Sequence, residues 1–364
     1  MADMPLDQLS VTARSHAHPD PVSYFSAAQA AFTSATRTVA VRIDRVYRIA
    51  GYNVRLSFAG MSLMPYICPA LEHLSIETDA SPHLTISLWD TTSTGVEIPS
   101  PPWSLSDYGV RGEIAGYNND RISICFKHGS GAVSLLDSTL NQAIFWVRDA
   151  DQLPYWEKGA PLLNILHWWM SQHDRLLVHG AAVGNDHGAV LIVGKSGSGK
   201  STTALACLSS GLLYLGDDYT IIETLPSPVV HSLYATAKVD VNQVNAFPHL
   251  LPKIHNNGTL AGEKALMFLS PDYNKQMIPD LPVRAILVPR VTGGPRTQLK
   301  KTSAAAALTA LAPSTIFQLP RAGESNFKIV ARFVSKVPCY TLECGKNLAQ
   351  IPEMVLGALL SDGL

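Results

Sequence analysis

From about Thr38 to Arg148, apolar and polar positions alternate with a period of two. Val54, Leu56 and Phe58 enclose Arg55 and Ser57; Leu84, Ile86 and Leu88 enclose Thr85 and Ser87; Ile122, Ile124 and Phe126 enclose Ser123 and Cys125. Alternation of this kind, broken by Gly, Asn, Ser and Pro, predicts half-buried antiparallel strands. Further on, Leu162, Leu163, Ile165, Leu166, Trp169 and Met170 recur at helical spacing, and at that spacing the Trp168–Trp169 pair reads as core packing. From about Leu176 the chain turns to short apolar runs punctuated by glycine. Strands are predicted at Leu176–Val183, Ala189–Val193, Leu212–Leu215, Tyr219–Glu223, Arg284–Val288 and Cys339–Leu342. Helices are predicted at Lys200–Ser210 with Gly211 as its stop, at Ser303–Leu311 stopped by Pro313, and near Pro352–Leu360.

This texture divides the 364 residues, more than one typical core wants, into three stretches. Residues 1–20 read as a flexible polar lead-in and 21–150 as a β-rich N-terminal domain. Residues 151–364 read as an α/β domain, entered through a linker-like run from Asp149 to Pro161. The N-terminal domain shows no repeat and no chemical motif, which makes acceptor recognition its expected role. Hydrophobic residues make up 46% and charged ones 16%. An average soluble domain has roughly 25% charged residues, so the deficit argues against disorder and points to a homo-oligomer or partner face. Net charge is −1 with no run of Lys or Arg, which disfavours nucleic acid as a partner. No apolar run approaches the roughly 20 residues that span a bilayer. The first residues also lack the apolar core of a signal peptide. The expectation is a soluble cytoplasmic protein without a membrane partner. The five cysteines are scattered and read as reduced core thiols; the twelve histidines form no HExxH or Cys/His cluster, against a structural zinc.

The chemistry begins at Ala189-Val-Leu-Ile-Val193, followed by Gly194, Lys195, Ser196, Gly197, Ser198, Gly199, Lys200, Ser201 and Thr202. This run fits G-x-x-x-x-G-K-[ST] in full, between an apolar strand and a helix. Glycines let backbone N–H groups close on phosphate oxygens, and the positive end of the following helix faces the same anion. Lys200 is expected to reach the β and γ phosphates of ATP, and Ser201 to place its hydroxyl on Mg²⁺.

After the loop's helix comes Leu212-Leu-Tyr-Leu-Gly-Asp217-Asp218. A helix of roughly 16 Å returns the chain to the far end of the sheet, so the next strand climbs again and delivers both carboxylates to the loop's edge. One can accept a proton from a hydroxyl nucleophile while the other helps hold Mg²⁺. His179, in Leu176-Leu-Val-His179-Gly180, is placed to share that edge and to hydrogen-bond Asp217. Lys238, on a strand after the Asp pair, is a candidate for stabilising the transferred phosphoryl, against its reading as a solvated surface lysine.

His179-Gly180, Gly194 to Ser201 and Asp217-Asp218, in this order and spacing, resemble the bacterial HPr kinase/phosphorylase family and its HprK-related serine kinases. The match is tight over Leu176 to Asp218, loose over the rest of the C-terminal half and absent from the N-terminal one. The resemblance implies an α/β P-loop kinase domain, akin to phosphoenolpyruvate carboxykinase, that transfers phosphate to a serine hydroxyl. Carried over, Asp217 is the general base, Asp218 its acidic partner on the metal, His179 the residue that tunes Asp217, and Lys200 and Ser201 the ATP and metal ligands. Where HPr enzymes carry a Glu-Ile-Arg-Gly type signature, this chain reads His231-Ser-Leu-Tyr-Ala-Thr-Ala-Lys238-Val-Asp240. That departure points away from HPr and toward HprK-related kinases of biosynthetic clusters, such as those acting on the C-terminal serine of lasso-peptide precursors. Competing readings are a kinase of free serine and a nucleotide-gated binding module without transfer. An ABC-type ATPase fits the loop, but Leu208-Ser-Ser-Gly211 is not the LSGGQ signature and falls in the helix after it.

Overall fold

A computed structural model of the chain describes residues 20–257, 263–316 and 318–360. The expected lead-in therefore lies outside the described residues except for Asp20. The first sheet is built from β1 (Arg42–Ile49), β2 (Tyr52–Ala59), β3 (Ser75–Ile76), β4 (Leu84–Asp90), β5 (Ile122–Lys127), β6 (Ala132–Asp137) and β7 (Gln142–Val147). Its order is β3-β1-β2-β4-β7-β6-β5.

Two features differ from the expected half-buried antiparallel strands. The β2–β4 and β4–β7 pairs are parallel, so the sheet is mixed. Both of its faces are also covered. Val54, Leu56, Ile86 and Leu88 pack in one cluster with Leu166 and Trp169 of the helix Leu163–Ser171. On the other side Tyr24, Phe25, Ala28, Phe32 and Ala35 of the helix Pro21–Val39 pack with Trp89, Ile124 and Ile144. The small polar residues Ser57, Ser87 and Ser123, which alternation assigns to solvent, are consequently buried. Small hydroxyls are tolerated there because each can find a partner, as Ser57 Oγ does in donating to Asp44 at 2.7 Å.

The C-terminal half is also mixed α/β. Its strands are β8 (Arg175–Val178), β9 (Gly180–Asn185), β10 (Gly188–Val193), β11 (Leu213–Gly216), β12 (Thr220–Glu223) and β13 (Val229–His231). A separate ribbon pairs β14 (Thr236–Asp240) with β15 (Lys264–Phe268), and β16 (Asp280–Val291), β17 (Gln298–Lys301) and β18 (Cys339–Cys344) complete the set. The large sheet runs β11-β9-β10-β16-β13-β12-β8, with β18 beside β16 and β17 beside β18. The predicted strand Leu176–Val183 is two strands that part at His179: β8 pairs with β12, while β9 pairs with β10 and β11. The predicted stop at Pro313 also fails, since the helix Ala304–Ile316 carries that proline inside it.

The run Asp149–Pro161 is no loose linker. It holds the helix Tyr155–Gly159, whose Glu157 is 2% exposed and pairs with Lys127 of the first sheet. The two sheets share apolar packing, with Tyr47, Phe58 and Leu84 in one cluster with Trp168, Tyr219, Tyr234 and Leu319. Hydrogen bonds cross the same boundary. Arg111 donates to the carbonyls of Ile316 and Leu319 at 3.2 and 2.8 Å, and Arg321 donates to Ile122 O at 3.0 Å and Ser123 Oγ at 2.7 Å. Among the described residues, no helix is long and apolar enough to cross a membrane.

Candidate functional site

β10 is buried along its whole length and ends at Val193, where the chain leaves the sheet through Gly194–Gly199 and enters the helix Lys200–Ser209. Gly194, Gly197 and Gly199 have φ of 154°, 77° and 106°, which side-chain-bearing residues rarely adopt. A Cβ on Gly194 would stand 2.6 Å from Ser198 Oγ, whereas at Gly197 it would meet nothing within 4 Å. The loop is thus closed at its root and open at its crown. The helix N-terminus at Gly199 has no side-chain cap. Lys200 folds back across the loop, its Nζ donating to Gly194 O at 2.7 Å and Lys195 O at 3.2 Å.

β11 is antiparallel to β9, and β9 is antiparallel to β10, so β11 runs in the direction of β10 with β9 between them. Asp217 and Asp218 therefore leave the sheet at the edge that carries the loop, and His179 stands at the same edge where β9 begins. All three line one cavity of ≈ 690 Å³ together with Lys200, Ser201 and Lys238. Gly194, Lys195 and Ser198 are not among its lining residues, while Ser196, Gly197, Gly199 and Thr202 are.

The carboxylates divide the neighbours between them. Ser201 Oγ donates to Asp217 Oδ1 at 3.0 Å, and the Lys238 N–H donates to Asp217 Oδ2 at 3.1 Å. Asp218 faces the other way, with Oδ1 3.0 Å from His179 Nε2 and Oδ2 2.8 Å from Lys238 Nζ. The histidine expected beside Asp217 is thus bonded to Asp218, and the hydroxyl of Ser201 lies on Asp217 rather than on Asp218. The reason is the backbone at Asp218, whose φ of 72° turns its side chain away from that of Asp217.

Electrostatics follow this division. Asp217 is 1% exposed, and burial, reinforced by the charge of Asp218, raises its pKa. Burial also pushes Asp218 upward, but the Lys238 ammonium and the His179 hydrogen bond outweigh it and hold that carboxyl well below the usual carboxylate range. Burial lowers Lys200; Asp217 and Asp218 oppose the shift, and the charge of Lys264 adds to it.

The residues present suit a magnesium nucleotide. Ser201 Oγ and the Asp217 carboxylate are adjacent hard oxygen donors, and Mg²⁺ is commonly held by one or two such groups with phosphate oxygens and water completing its shell. Ser198 Oγ is buried without a partner among the described residues, and it belongs to the loop expected to wrap the phosphates. Among the described residues, no group of three His, Cys, Asp or Glu side chains is arranged to hold a metal by itself.

Motif reading misses two lysines among the lining residues, Lys264 and Lys346, and Lys264 lies on the same ribbon as Lys238. No local pattern marks it; only the pairing of β15 with β14, which puts Lys264 opposite Asp240, brings it to the cavity.

No family model matches the chain. Over 86 residues it is 36% identical to the type II secretion system protein E of Pseudomonas aeruginosa, covering 24% of this chain and 16% of that protein. The chain thus spans well under two thirds of that relative's length. Among solved structures it is similar to the Hpr(Ser) kinase/phosphatase from Coxiella burnetii at 12% identity and a TM-score of 0.29, over 50% of this chain and 94% of that one. The likeness to that kinase/phosphatase is distant, and at this score it carries no argument.

Proposed function

We propose that this chain is a cytoplasmic ATP-dependent kinase that transfers the γ-phosphoryl group to a serine hydroxyl of a peptide or small protein. The C-terminal serine of a lasso-peptide precursor is the acceptor that the sequence resemblance singles out. The observation that carries the reading is a carboxylate clamped between an imidazole and an ammonium in the cavity that the glycine loop opens into. Pure nucleotide binding has no use for that grouping.

The geometry favours roles opposite to those carried over from the resemblance. Asp217 is enclosed and already accepts from Ser201 and from the Lys238 backbone. It belongs with Ser201 as the pair that would hold Mg²⁺, which when bound would neutralise charge on the phosphates. Asp218, with 19% of its side chain exposed, is the carboxylate an acceptor hydroxyl can reach. Taken alone, Asp217 with its raised pKa is the stronger base, but accessibility decides the assignment. Asp218 stays ionised and orients the hydroxyl, and in a loose phosphoryl-transfer transition state the proton moves late. Lys238 stays on Asp218 and fixes that carboxylate beside the acceptor hydroxyl, and the proton released late in the transfer passes to Asp218. Lys200, freed from the loop carbonyls, takes the β and γ oxygens.

The test is phosphate incorporation from Mg·ATP into peptides that present serine, located by mass spectrometry. Asp218→Asn should lose about 10²–10⁴-fold in transfer with nucleotide affinity retained. Full activity in that variant would sink the assignment of the base, and a wild-type protein that binds ATP but phosphorylates no peptide or free serine would sink the kinase reading.

A further inference from the structure

The β14–β15 ribbon stands apart from both large sheets, and its register decides what it shows to the cavity. Directly opposed residues of an antiparallel ladder project to one side, and alternate residues of a strand share a face. Lys238 is opposed to Leu266 and Asp240 to Lys264, so these four occupy one face. Lys238, Asp240 and Lys264 all line the cavity, and Val239 is the ribbon residue of the opposite face that joins them.

Two of the three are committed. Lys238 Nζ is on Asp218, and Asp240 accepts from the N–H and Nδ2 of Asn242, capping the short helix Val241–Val244. Lys264 is half-buried, and its ammonium has no partner among the described residues; its backbone alone is engaged, with Asn256 and Tyr155. It is a diagonal neighbour of Lys238 across the ladder, about 7–8 Å away at the backbone and within reach of one phosphoryl group by two long side chains. Lys264 and Lys200 line the same cavity. With Asp218 matched to Lys238 and Asp217 turned to Ser201, Lys200, Lys264 and Lys346 are left among the lining residues as cations facing a nucleotide that remains anionic after binding Mg²⁺, and of the three Lys264 alone comes from the ribbon beside Lys238.

We propose that Lys264 is the γ-phosphate-reading cation of this site, and that the face of the β14–β15 ribbon makes the cavity select a triphosphate over a diphosphate. The proposal rests on the kinase reading for the identity of the anion. Lys264 meets the terminal phosphoryl from the ribbon while Lys200 meets the β and γ oxygens from the loop. A cation that contacts only the third phosphate contributes nothing to diphosphate binding, which is what makes it a discriminator.

The experiment titrates the full chain with two probes, Mg·ADP and the non-hydrolysable Mg·AMP-PNP, by calorimetry. The wild type should prefer the triphosphate. Lys264→Gln should weaken AMP-PNP by about tenfold or more while leaving ADP unchanged, as expected for loss of one charge-assisted hydrogen bond. Lys264→Arg should keep most of the preference. Lys264→Met checks that the loss is of charge and not of a new amide contact, and thermal melting confirms that each variant is folded. A preference that survives in both Lys264→Gln and Lys264→Met overturns the proposal while the kinase reading stands. Equal weakening of both nucleotides also overturns it, because the lysine would then read the diphosphate. Failure of the wild type to bind either probe would instead remove the kinase reading.

Discussion

Gly159 offers a way to move Lys238 without touching its charge. It ends the helix Tyr155–Gly159, and its carbonyl accepts from Thr236 Oγ1 at 2.8 Å, which pins the helix against β14. A Cβ at this position would stand 2.6 Å from Lys238 Cε, 2.8 Å from Leu266 Cδ1 and 3.4 Å from Lys238 Nζ. Carbon atoms in contact rest about 3.5–4.0 Å apart, so in Gly159→Ala the lysine stem must retreat by about 1 Å. Both clashing atoms are near the ends of flexible side chains. Overpacking of about 1–3 kcal/mol is therefore partly relieved, and the added methyl returns about 0.4–1 kcal/mol through the unfolded chain. The fold should survive with a loss of about 2 kcal/mol or less. The 2.8 Å contact between Lys238 Nζ and Asp218 should not survive unchanged. A misplacement near 1 Å in a phosphoryl-transfer site costs about 10²-fold in rate. Steady-state phosphorylation of a serine peptide should show that loss in kcat, with ATP-analogue affinity held by the loop and Lys200. Because the effect runs through Lys238, adding Gly159→Ala to Lys238→Met should cost nothing further. Wild-type transfer by Gly159→Ala, or full additivity in the double variant, would refute the reasoning.

Other outcomes follow from the same geometry. Lys200→Ala should weaken a fluorescent ATP analogue by about tenfold to a hundredfold, and unchanged affinity would mean that the loop is not the site. Asp217→Asn should raise the Mg²⁺ concentration needed for half-maximal transfer; a Mg²⁺ titration identical to wild type would remove Asp217 from the metal. His73 and His167 are held by burial at pKa values of about 4 and about 3, below their ordinary 6.5. Their folded values lie below the unfolded ones, so their contribution to stability is complete above about pH 6.5 and is lost as the pH falls toward 4, about 2 kcal/mol each at pH 5. Urea unfolding at pH 7 and pH 5 measures this, and His73→Gln with His167→Gln should flatten the difference. Because the halves share a core, the full chain should melt in a single transition by calorimetry, and two resolved transitions would show that the halves fold independently.

The loop and the Asp pair were legible because their chemistry is local. Gly194 to Thr202 sits between its strand and its helix, and a helix of known rise returns the chain so that Asp217 and Asp218 reach the same edge. The exchange of partners was not legible, because it depends on one dihedral: at φ of 72° Asp218 turns toward His179 and Lys238. Lys264 was hidden for a different reason. Its place is set by pairing with Asp240, 24 residues earlier in number, and a strand's partner is not written in its own alternation. In the first sheet the period-two pattern located the strands well. It misjudged the exposure of β2 and β4 because the helix Pro21–Val39, with Tyr24, Phe25, Ala28 and Phe32 at helical spacing, covers the face assigned to water; in β5 the sides are reversed, with Ile122 and Ile124 toward that helix and Cys125 in the cluster on the other face.

The buried contacts between the halves give the N-terminal sheet a physical connection to the site that needs no chemistry of its own. The Ala235 N–H donates to Ala70 O at 2.7 Å, and His73 Nε2 lies 2.7 Å from Ser232 Oγ. The turn at 68–74 therefore holds the segment that runs directly into β14 and Lys238. The helix Tyr155–Gly159 supports the stem of that lysine, and its Glu157 is tied to Lys127 of the first sheet. On the other side, the backbone N–H of His179 donates to Thr315 Oγ1 at 3.2 Å, and the carbonyl of the next residue, Ile316, accepts from Arg111. Both groups that clamp Asp218 are thus braced by contacts reaching back to the first sheet. Catalytic groups must be held to fractions of an ångström, and rigid, well-packed supports are what achieve that. The N-terminal half can matter to phosphoryl transfer by fixing His179 and Lys238, whether or not it also meets the acceptor.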